Sequence, residues 1–131
     1  MKKIGDIMST TLFSTTPDTS AFDAVEEMYK NKIGALLIKE KEDFVGIFTK
    51  TDWMQLFLGR DCDPHKVKVS DVMSSPIVTI DKDESLSKAT EVIEEKKFRH
   101  IAVTEEDKIV GMLSVKDLQT YYLHLHEKTN F

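Results

Sequence analysis

One short sequence pattern occurs twice in this chain, and the second copy begins 65 positions after the first. It reads glycine, two apolar residues, a hydroxyl residue, two variable residues and an aspartate, at 46–52 and again at 111–117. The same offset aligns residues 3–53 with residues 68–118 without a gap. A repeat at one fixed offset indicates a fold built from one unit used twice. Because a unit of about 50 residues buries little apolar surface by itself, we expect the two units to share one core.

The apolar periodicity predicts the same element order in both units: strand, helix, strand, strand and helix. First strands are expected at 12–15 and 77–80. Buried strands are expected at 33–38 and 100–103, where charged turns join them to the strands that enter the repeated pattern.

Serine begins the first helix of each unit, because Ser20 and Ser85 can accept a hydrogen bond from the first turn. Apolar residues at helical spacing then predict one buried stripe in each of these helices. The stripes are Phe22, Val25, Met28 and Tyr29 in the first unit, and Leu86, Ala89, Thr90 and Ile93 in the second.

The repeat places a first unit at 1–59, a linker at 60–67 and a second unit at 68–131, all within one domain. Pro64 interrupts any helix in the linker, and Gly59 is a candidate C-terminal stop for the closing helix of the first unit.

Composition restricts the classes of partner. The formal net charge of -5 disfavours nucleic acid, which requires a basic face. No apolar run is long enough to span a membrane, and Asp6 interrupts the N-terminus before a secretory signal could develop. Cys62 is the single cysteine, so no intrachain disulfide can form and we expect a cytoplasmic protein.

Several motifs combine to indicate a family. Asp-Ile-Met-Ser at 6–9 and Asp-Val-Met-Ser at 71–74 precede the first strands, and Phe-Arg-His-Ile-Ala-Val fills 98–103. With the two Gly-x-x-Thr/Ser-x-x-Asp patterns, the sequence resembles the tandem cystathionine-beta-synthase (CBS) domain pair, or Bateman module. The resemblance implies an α+β fold of two β-α-β-β-α units, packed through their sheets as a pseudo-twofold pair. It further implies clefts for adenosine-containing ligands and no catalytic activity.

The hydroxyl and aspartate of each pattern, Thr49 with Asp52 and Ser114 with Asp117, are compatible with two interpretations. Each pair can form a capping box, in which both side chains bind backbone N–H groups of their own helix. Alternatively, an outward-facing aspartate accepts both hydroxyls of a ribose, while the hydroxyl residue and the helix N-terminus meet phosphate. Two copies in register, together with the resemblance, favour ligand contact by at least one aspartate.

The two units differ most at Arg99-His100, because Gly34-Ala35 occupies the equivalent positions. Arginine supplies a forked donor for phosphate, and histidine adds a second donor. We therefore expect AMP, ADP or ATP to use Arg99 and His100, and the site with Gly34-Ala35 to be emptier, more apolar or suited to adenosine without phosphates. The alternative is an exposed arginine paired with a nearby glutamate such as Glu94 or Glu95.

Six further candidates are supported mainly by the resemblance. A base could approach the backbone at the two glycines of the pattern, although such glycines also mark close packing. The resemblance implies that first-strand residues line the adenine pocket, where apolar residues can equally belong to the core. These candidates are Gly46, Gly111, Leu12, Ser14, Ile77 and Thr79.

The sequence thus predicts an adenine-nucleotide sensor that requires no cofactor or metal and regulates an unidentified downstream protein, with an S-adenosylmethionine-like compound as another possible ligand. The closing helices carry more apolar residues than one buried stripe requires, so we expect a homodimer through them; the alternative is that the extra residues only complete the contact between the two units of one chain. The rival hypothesis is a ligand-free interaction scaffold in which both aspartates only cap helices.

Overall fold

The computed structural model describes residues 2–58 and 62–129, so Gly59, predicted as a helix stop, lies outside the described residues. The first repeat contains the 3-10 turn Ile4–Asp6 and five further elements: β1 (Ser14–Thr15), α1 (Ala21–Asn31), β2 (Ala35–Glu40), β3 (Asp43–Thr49) and α2 (Lys50–Gln55). The second contains the turn Val69–Asp71, β4 (Thr79–Asp81), α3 (Leu86–Lys96), β5 (His100–Glu105), β6 (Lys108–Ser114) and α4 (Val115–Thr129). The predicted α+β class and element order are confirmed.

Each repeat forms one three-stranded sheet, ordered β1-β2-β3 in the first and β4-β5-β6 in the second. The short first strand pairs in parallel with the central strand, and the central strand pairs antiparallel with the last. The register is equivalent in both sheets: Ala35 lies opposite Thr49, and His100 lies opposite Ser114. Gly34-Ala35 and Arg99-His100, the pairs at which the repeats differ most, therefore lie beside the hydroxyl residue of the repeated pattern.

The compact units do not coincide with the sequence repeats. Phe13–Ile77 forms one unit, the first-sheet unit, which contains β1 to β3. Met1–Leu12 and Val78–Phe131 form the other, the second-sheet unit, which contains β4 to β6. Each repeat begins with a segment that precedes its first strand and contains its 3-10 turn, the lead-in (residues 4–9 and 69–74). The lead-in of each repeat thus belongs to the unit that holds the sheet of the other repeat.

Hydrogen bonds and burial hold each lead-in in its unit. In the second-sheet unit, the buried Ile4 donates its N–H to Glu84 O at 3.0 Å. Ser9 and Met112 exchange two backbone hydrogen bonds of 2.9 Å, so the lead-in extends the sheet beside β6. The first-sheet unit repeats this arrangement with the buried Val69, whose N–H donates to Thr19 O, and with the backbone pair Ser74 and Ile47.

Apart from Leu37 and Ala102, the buried apolar residues that the structure describes form two clusters, one within each unit, where the sequence had suggested a single shared core. Exchange of the lead-ins explains how each small unit obtains a core. Ile4 of the first repeat packs in the cluster of the second-sheet unit, and Val69 of the second repeat packs in the cluster of the first-sheet unit. The second-sheet cluster is Ile4, Ile80, Leu86, Ala89, Ile101, Val103, Leu113 and Leu118. The first-sheet cluster is Ala21, Ala24, Met28, Leu36, Ile38, Phe48, Leu56 and Val69.

The buried stripe predicted for α1 is partly wrong. Tyr29 is 85% exposed, and the buried residues of this helix are Ala21, Ala24 and Met28. Successive residues of a helix are rotated by about 100° around its axis. Tyr29, the residue after Met28, therefore lies outside the narrow buried face.

The closing helices differ in length, since α2 has 6 residues and α4 has 15. Large apolar side chains are exposed at or just after both helices: Met54, Phe57, Leu58, Tyr122, Leu123 and Leu125. Within the described parts of the chain, no helix has the length and apolar character needed to cross a membrane.

Candidate functional site

The structure divides the fourteen candidate residues equally between the two units. In each unit they include a hydroxyl residue and an aspartate at the head of the closing helix, with the pair that precedes or begins the central strand beside them. The first-sheet unit holds Ser14, Gly34, Ala35, Gly46, Thr49, Asp52 and Ile77, and the second-sheet unit holds Leu12, Thr79, Arg99, His100, Gly111, Ser114 and Asp117.

At the head of α2, Thr49 and Asp52 form a complete capping box. The Thr49 N–H donates to Asp52 Oδ2 at 2.9 Å, and the Asp52 N–H donates to Thr49 Oγ1 at 3.3 Å. The Thr49 hydroxyl also donates to Asp52 Oδ2, at 3.1 Å. Asp52 Oδ2 therefore accepts two hydrogen bonds from one residue.

The second oxygen of Asp52 is bound by a residue that the sequence analysis did not propose. The Ser74 hydroxyl donates to Asp52 Oδ1 at 2.9 Å, and Asp52 is only 7% exposed. Among the described residues, Asp52 is the one polar or charged residue in the buried class. Both of its carboxylate oxygens thus have protein donors.

At the head of α4, Ser114 and Asp117 form the same two backbone hydrogen bonds. The Ser114 N–H donates to Asp117 Oδ2 at 2.9 Å, and the Asp117 N–H donates to Ser114 Oγ at 3.1 Å. Asp117 is half-buried, and within residues 2–58 and 62–129 its Oδ1 has no hydrogen-bond partner. One carboxylate oxygen therefore remains available to a ligand.

Both aspartates cap their helices in this structure, so the capping interpretation describes the observed hydrogen bonds. Capping does not exhaust a carboxylate, because its two oxygens offer about four acceptor positions. At Asp117 the cap occupies one oxygen and leaves the other open, whereas Asp52 has both oxygens occupied and is buried. The two copies of the pattern are consequently unequal in what they can still bind.

The differing pair Arg99-His100 lies beside the first residues of α4 in the second-sheet unit. The Val115 N–H at the head of α4 donates to Arg99 O at 3.0 Å, and His100 is the register partner of Ser114. Arg99 is exposed, and in the described parts of the chain it forms no ion pair with an acidic side chain. The expected alternative, pairing with Glu94 or Glu95, is therefore not observed.

The first-sheet unit has the same backbone arrangement without an arginine and a histidine at the equivalent positions. The Lys50 N–H donates to Gly34 O at 3.3 Å, and Ala35 is the register partner of Thr49. Neither Gly34 nor Ala35 offers a side-chain donor, so the head of α2 lacks the forked group that Arg99 supplies to the head of α4.

The two glycines of the pattern make room for methionines of the lead-ins. A Cβ on Gly46 would lie 2.9 Å from Met73 Cγ, and a Cβ on Gly111 would lie 2.8 Å from the Ser9 carbonyl oxygen and 3.0 Å from Met8 Cγ. In this structure both glycines therefore serve close packing, and no ligand is required to explain them.

The first-strand candidates lie at or next to short strands. β1 and β4 are shorter at their starts than the predicted strands 12–15 and 77–80, so Leu12 and Ile77 precede the strands and are half-buried. Ser14 and Thr79 begin β1 and β4, and both are exposed.

Sequence reasoning missed Ser74, Met8 and Met73 as residues of these sites. The signal was present, because Met-Ser recurs at 8–9 and 73–74 at the repeat offset. Their role depends on the exchange of lead-ins, which no local pattern reveals.

In the described ranges, histidine, cysteine, aspartate and glutamate do not gather into a group that could hold a metal ion.

Comparison with known proteins assigns the fold family. A model of the CBS domain matches residues 4–59 and 69–124. The chain belongs to the CBS-domain family. Both CBS domains include their copy of the glycine-to-aspartate pattern, and tandem CBS domains act as regulatory modules.

Similar proteins occur among both curated sequences and solved structures. The CBS domain-containing protein CBSX3, mitochondrial, of Arabidopsis thaliana is 27% identical over 122 residues, which are 89% of this chain and 59% of that protein. The chain thus spans about three fifths of the length of this relative. The crystal structure of the CBS domain protein NE2398 superposes with a TM-score of 0.87 at 28% identity, covering 94% of this chain and 99% of that one.

The CBS domain pair of protein MJ0100 was solved in complex with 5-methylthioadenosine and S-adenosyl-L-methionine. It superposes with a TM-score of 0.84 and covers 95% of this chain and 98% of its own. At 18% identity this likeness establishes the shared fold alone.

Proposed function

We propose that this CBS pair is a regulatory module that binds an adenine nucleotide (AMP, ADP or ATP) at the head of α4. The observation that carries the proposal is the open Oδ1 of Asp117 at the head of a helix whose first residue, Val115, is hydrogen-bonded to the Arg99 carbonyl. A ribose offers two hydroxyl donors, which an ionised carboxylate oxygen accepts as charge-assisted hydrogen bonds.

The phosphate groups would bind Arg99 and His100. Arginine matches phosphate with two parallel N–H donors, and the N-terminal end of the 15-residue helix α4 adds a favourable dipole. The exposed Lys116 in the first turn contributes a further positive charge. The absence of an acidic partner for Arg99 among the described residues supports this role, because no ion pair has to break before phosphate binds.

An adenosine ligand without phosphates is the second candidate within the same class. The MJ0100 pair binds 5-methylthioadenosine and S-adenosyl-L-methionine, and both contain a ribose that Asp117 could hold. Neither contains a phosphate, so Arg99 would contribute little to their affinity. Dependence on Arg99 therefore separates the two kinds of ligand.

Regulation requires that the ligand prefer one of two states. A ligand can shift an equilibrium only by its difference in affinity for the two conformations. We propose that the affected state is the geometry of a homodimer formed through the exposed apolar residues after α2 and along α4. A downstream protein would read that geometry, in the cytoplasm that the single Cys62 suggests.

The rival function, a ligand-free scaffold, is favoured by the capping hydrogen bonds at both aspartates. Thermal unfolding with AMP, ADP, ATP and S-adenosylmethionine distinguishes the two hypotheses. Binding to the folded state raises the unfolding temperature, so at least one nucleotide should raise it. An unchanged unfolding temperature with all four compounds would support the scaffold.

Calorimetry with Arg99→Ala then tests the phosphate contact. A hydrogen bond between charged groups contributes about 1.5–3 kcal/mol, so ATP should bind at least tenfold more weakly, while adenosine should bind as before. Lys88→Ala removes an equal charge from the exposed face of α3 and should leave ATP affinity unchanged. Unchanged ATP binding by Arg99→Ala would refute the role of Arg99.

A further inference from the structure

Ser9 and Ser74 occupy equivalent places in the two units. Ser9 exchanges two backbone hydrogen bonds with Met112 on β6, and Ser74 exchanges two with Ile47 on β3. Both serines are exposed, and both lie at the repeat offset of 65 positions. The chain therefore provides the same residue on the same backbone arrangement twice.

The two hydroxyls differ in what they contact. The Ser74 hydroxyl donates to Asp52 Oδ1 at 2.9 Å, whereas within the described ranges no hydrogen bond joins the Ser9 hydroxyl to Asp117. The capping residues differ as well, because Thr49 donates its hydroxyl to Asp52 Oδ2 at 3.1 Å and Ser114 forms no such bond to Asp117. The Asp52 carboxylate consequently accepts three hydrogen bonds, two from Thr49 and one from Ser74. The Asp117 carboxylate accepts one, from the Ser114 N–H.

Three of the about four acceptor positions of the Asp52 carboxylate are filled, so a ribose that donates both of its hydroxyls to Asp52 must displace one of these donors. The exchange gains one hydrogen bond and loses another, and it must open a path to the carboxylate of Asp52, a residue that is only 7% exposed. At Asp117 the same sugar meets an open oxygen. Because hydrogen bonds that replace existing ones contribute little net free energy, the equivalent patterns differ in affinity for the same ligand.

We infer that Ser74 is a specificity-determining residue, which locks Asp52 and restricts nucleotide binding to one site per chain, at Asp117. The inference rests on the proposed function and adds its stoichiometry. It also assigns different roles to the two aspartates, a structural role to Asp52 and a ligand-binding role to Asp117.

Calorimetric titration with ATP and AMP tests whether the Ser74 bond to Asp52 prevents nucleotide binding there. It compares Ser74→Ala with the matched variant Ser9→Ala. Wild-type protein and Ser9→Ala should bind one nucleotide per chain. Ser74→Ala should gain a second site, at least tenfold weaker than the first because no Arg99 equivalent serves it. Ser74→Thr keeps the hydroxyl and should restore a stoichiometry of one.

Two results would overturn the inference while leaving the proposed function intact: two sites of similar affinity in the wild-type protein, or a single site in folded Ser74→Ala. Should Ser74→Ala not fold, Asp117→Asn decides, since it should bind no nucleotide and any retained site would overturn the inference. Absence of binding heat in the wild-type protein with every nucleotide would refute the proposed function, and the inference with it.

Discussion

The Ile4 N–H donates a hydrogen bond of 3.0 Å to Glu84 O, which joins the lead-in of the first repeat to the residue before the N-cap of α3. Ile4 is fully buried in the cluster of the second-sheet unit, and Val69 is fully buried in the cluster of the first-sheet unit. Each sheet is thus completed by a segment that lies far from it along the chain.

Each of the substitutions Ile4→Ala and Val69→Ala should therefore destabilise the sheet of the other repeat. Removing a buried isoleucine side chain costs about 2–5 kcal/mol, and the smaller valine should cost less. Amide hydrogen exchange should show lost protection in β4 to β6 for Ile4→Ala and in β1 to β3 for Val69→Ala, since units open locally before global unfolding. The reverse assignment would contradict the exchange of lead-ins.

Alanine at the two glycines of the pattern should have unequal effects. At Gly111 a Cβ would meet the Ser9 carbonyl at 2.8 Å, and this backbone cannot move without breaking its hydrogen bonds to Met112. At Gly46 the nearest atoms all belong to the flexible Met73 side chain. Overpacking costs about 1–3 kcal/mol, so urea unfolding should show the larger loss for Gly111→Ala, and equal losses would be inconsistent with the described packing.

The two aspartates should contribute unequally to stability in the absence of ligand. Asp52→Ala removes a buried carboxylate that accepts hydrogen bonds from the Thr49 N–H, the Thr49 hydroxyl and the Ser74 hydroxyl, and leaving the half-buried Thr49 N–H unsatisfied alone costs about 1–3 kcal/mol. Asp117→Ala removes one capping acceptor and should cost about 1 kcal/mol. Urea unfolding at neutral pH measures both, and an Asp117→Ala loss as large as that of Asp52→Ala would argue against a locked Asp52.

The C-terminal ends of α1 and α3 can be improved by one substitution each. Lys32 and Lys97 adopt left-handed backbone conformations, with φ of 55° and 61°. This conformation costs a residue with a side chain about 1–2 kcal/mol, and the greater freedom of glycine in the unfolded chain offsets part of the gain. Lys97→Gly should stabilise the protein by about 0.5–1 kcal/mol, as should Lys32→Gly. The neighbouring Lys96→Gly, inside α3, should destabilise it by about 1 kcal/mol.

The repeat in the sequence predicted the element order and the local features that depend on neighbouring residues. Ser20 and Ser85 cap their helices as expected, accepting from the Asp23 and Lys88 N–H groups. The hairpins follow from apolar runs separated by charged turns, and they appear at β2–β3 and β5–β6. These features are local, so a single repeat contains the information for them.

Contacts between distant segments could not be predicted in the same way. The Ser74 bond to Asp52 spans 22 positions, and the Met8 packing on Gly111 spans most of the chain. Periodicity reports which face of an element is apolar, and it does not report which element covers that face. The sequence therefore identified two equivalent aspartates, and the packing of the lead-ins made them unequal.

A crystal structure of the protein soaked with ATP tests the central claim most directly. The account predicts one nucleotide per chain, with its ribose hydroxyls within hydrogen-bond distance of Asp117 Oδ1, a phosphate against Arg99, and the Ser74 bond to Asp52 unchanged. A nucleotide whose ribose binds Asp52, or one bound away from both aspartates, would contradict it.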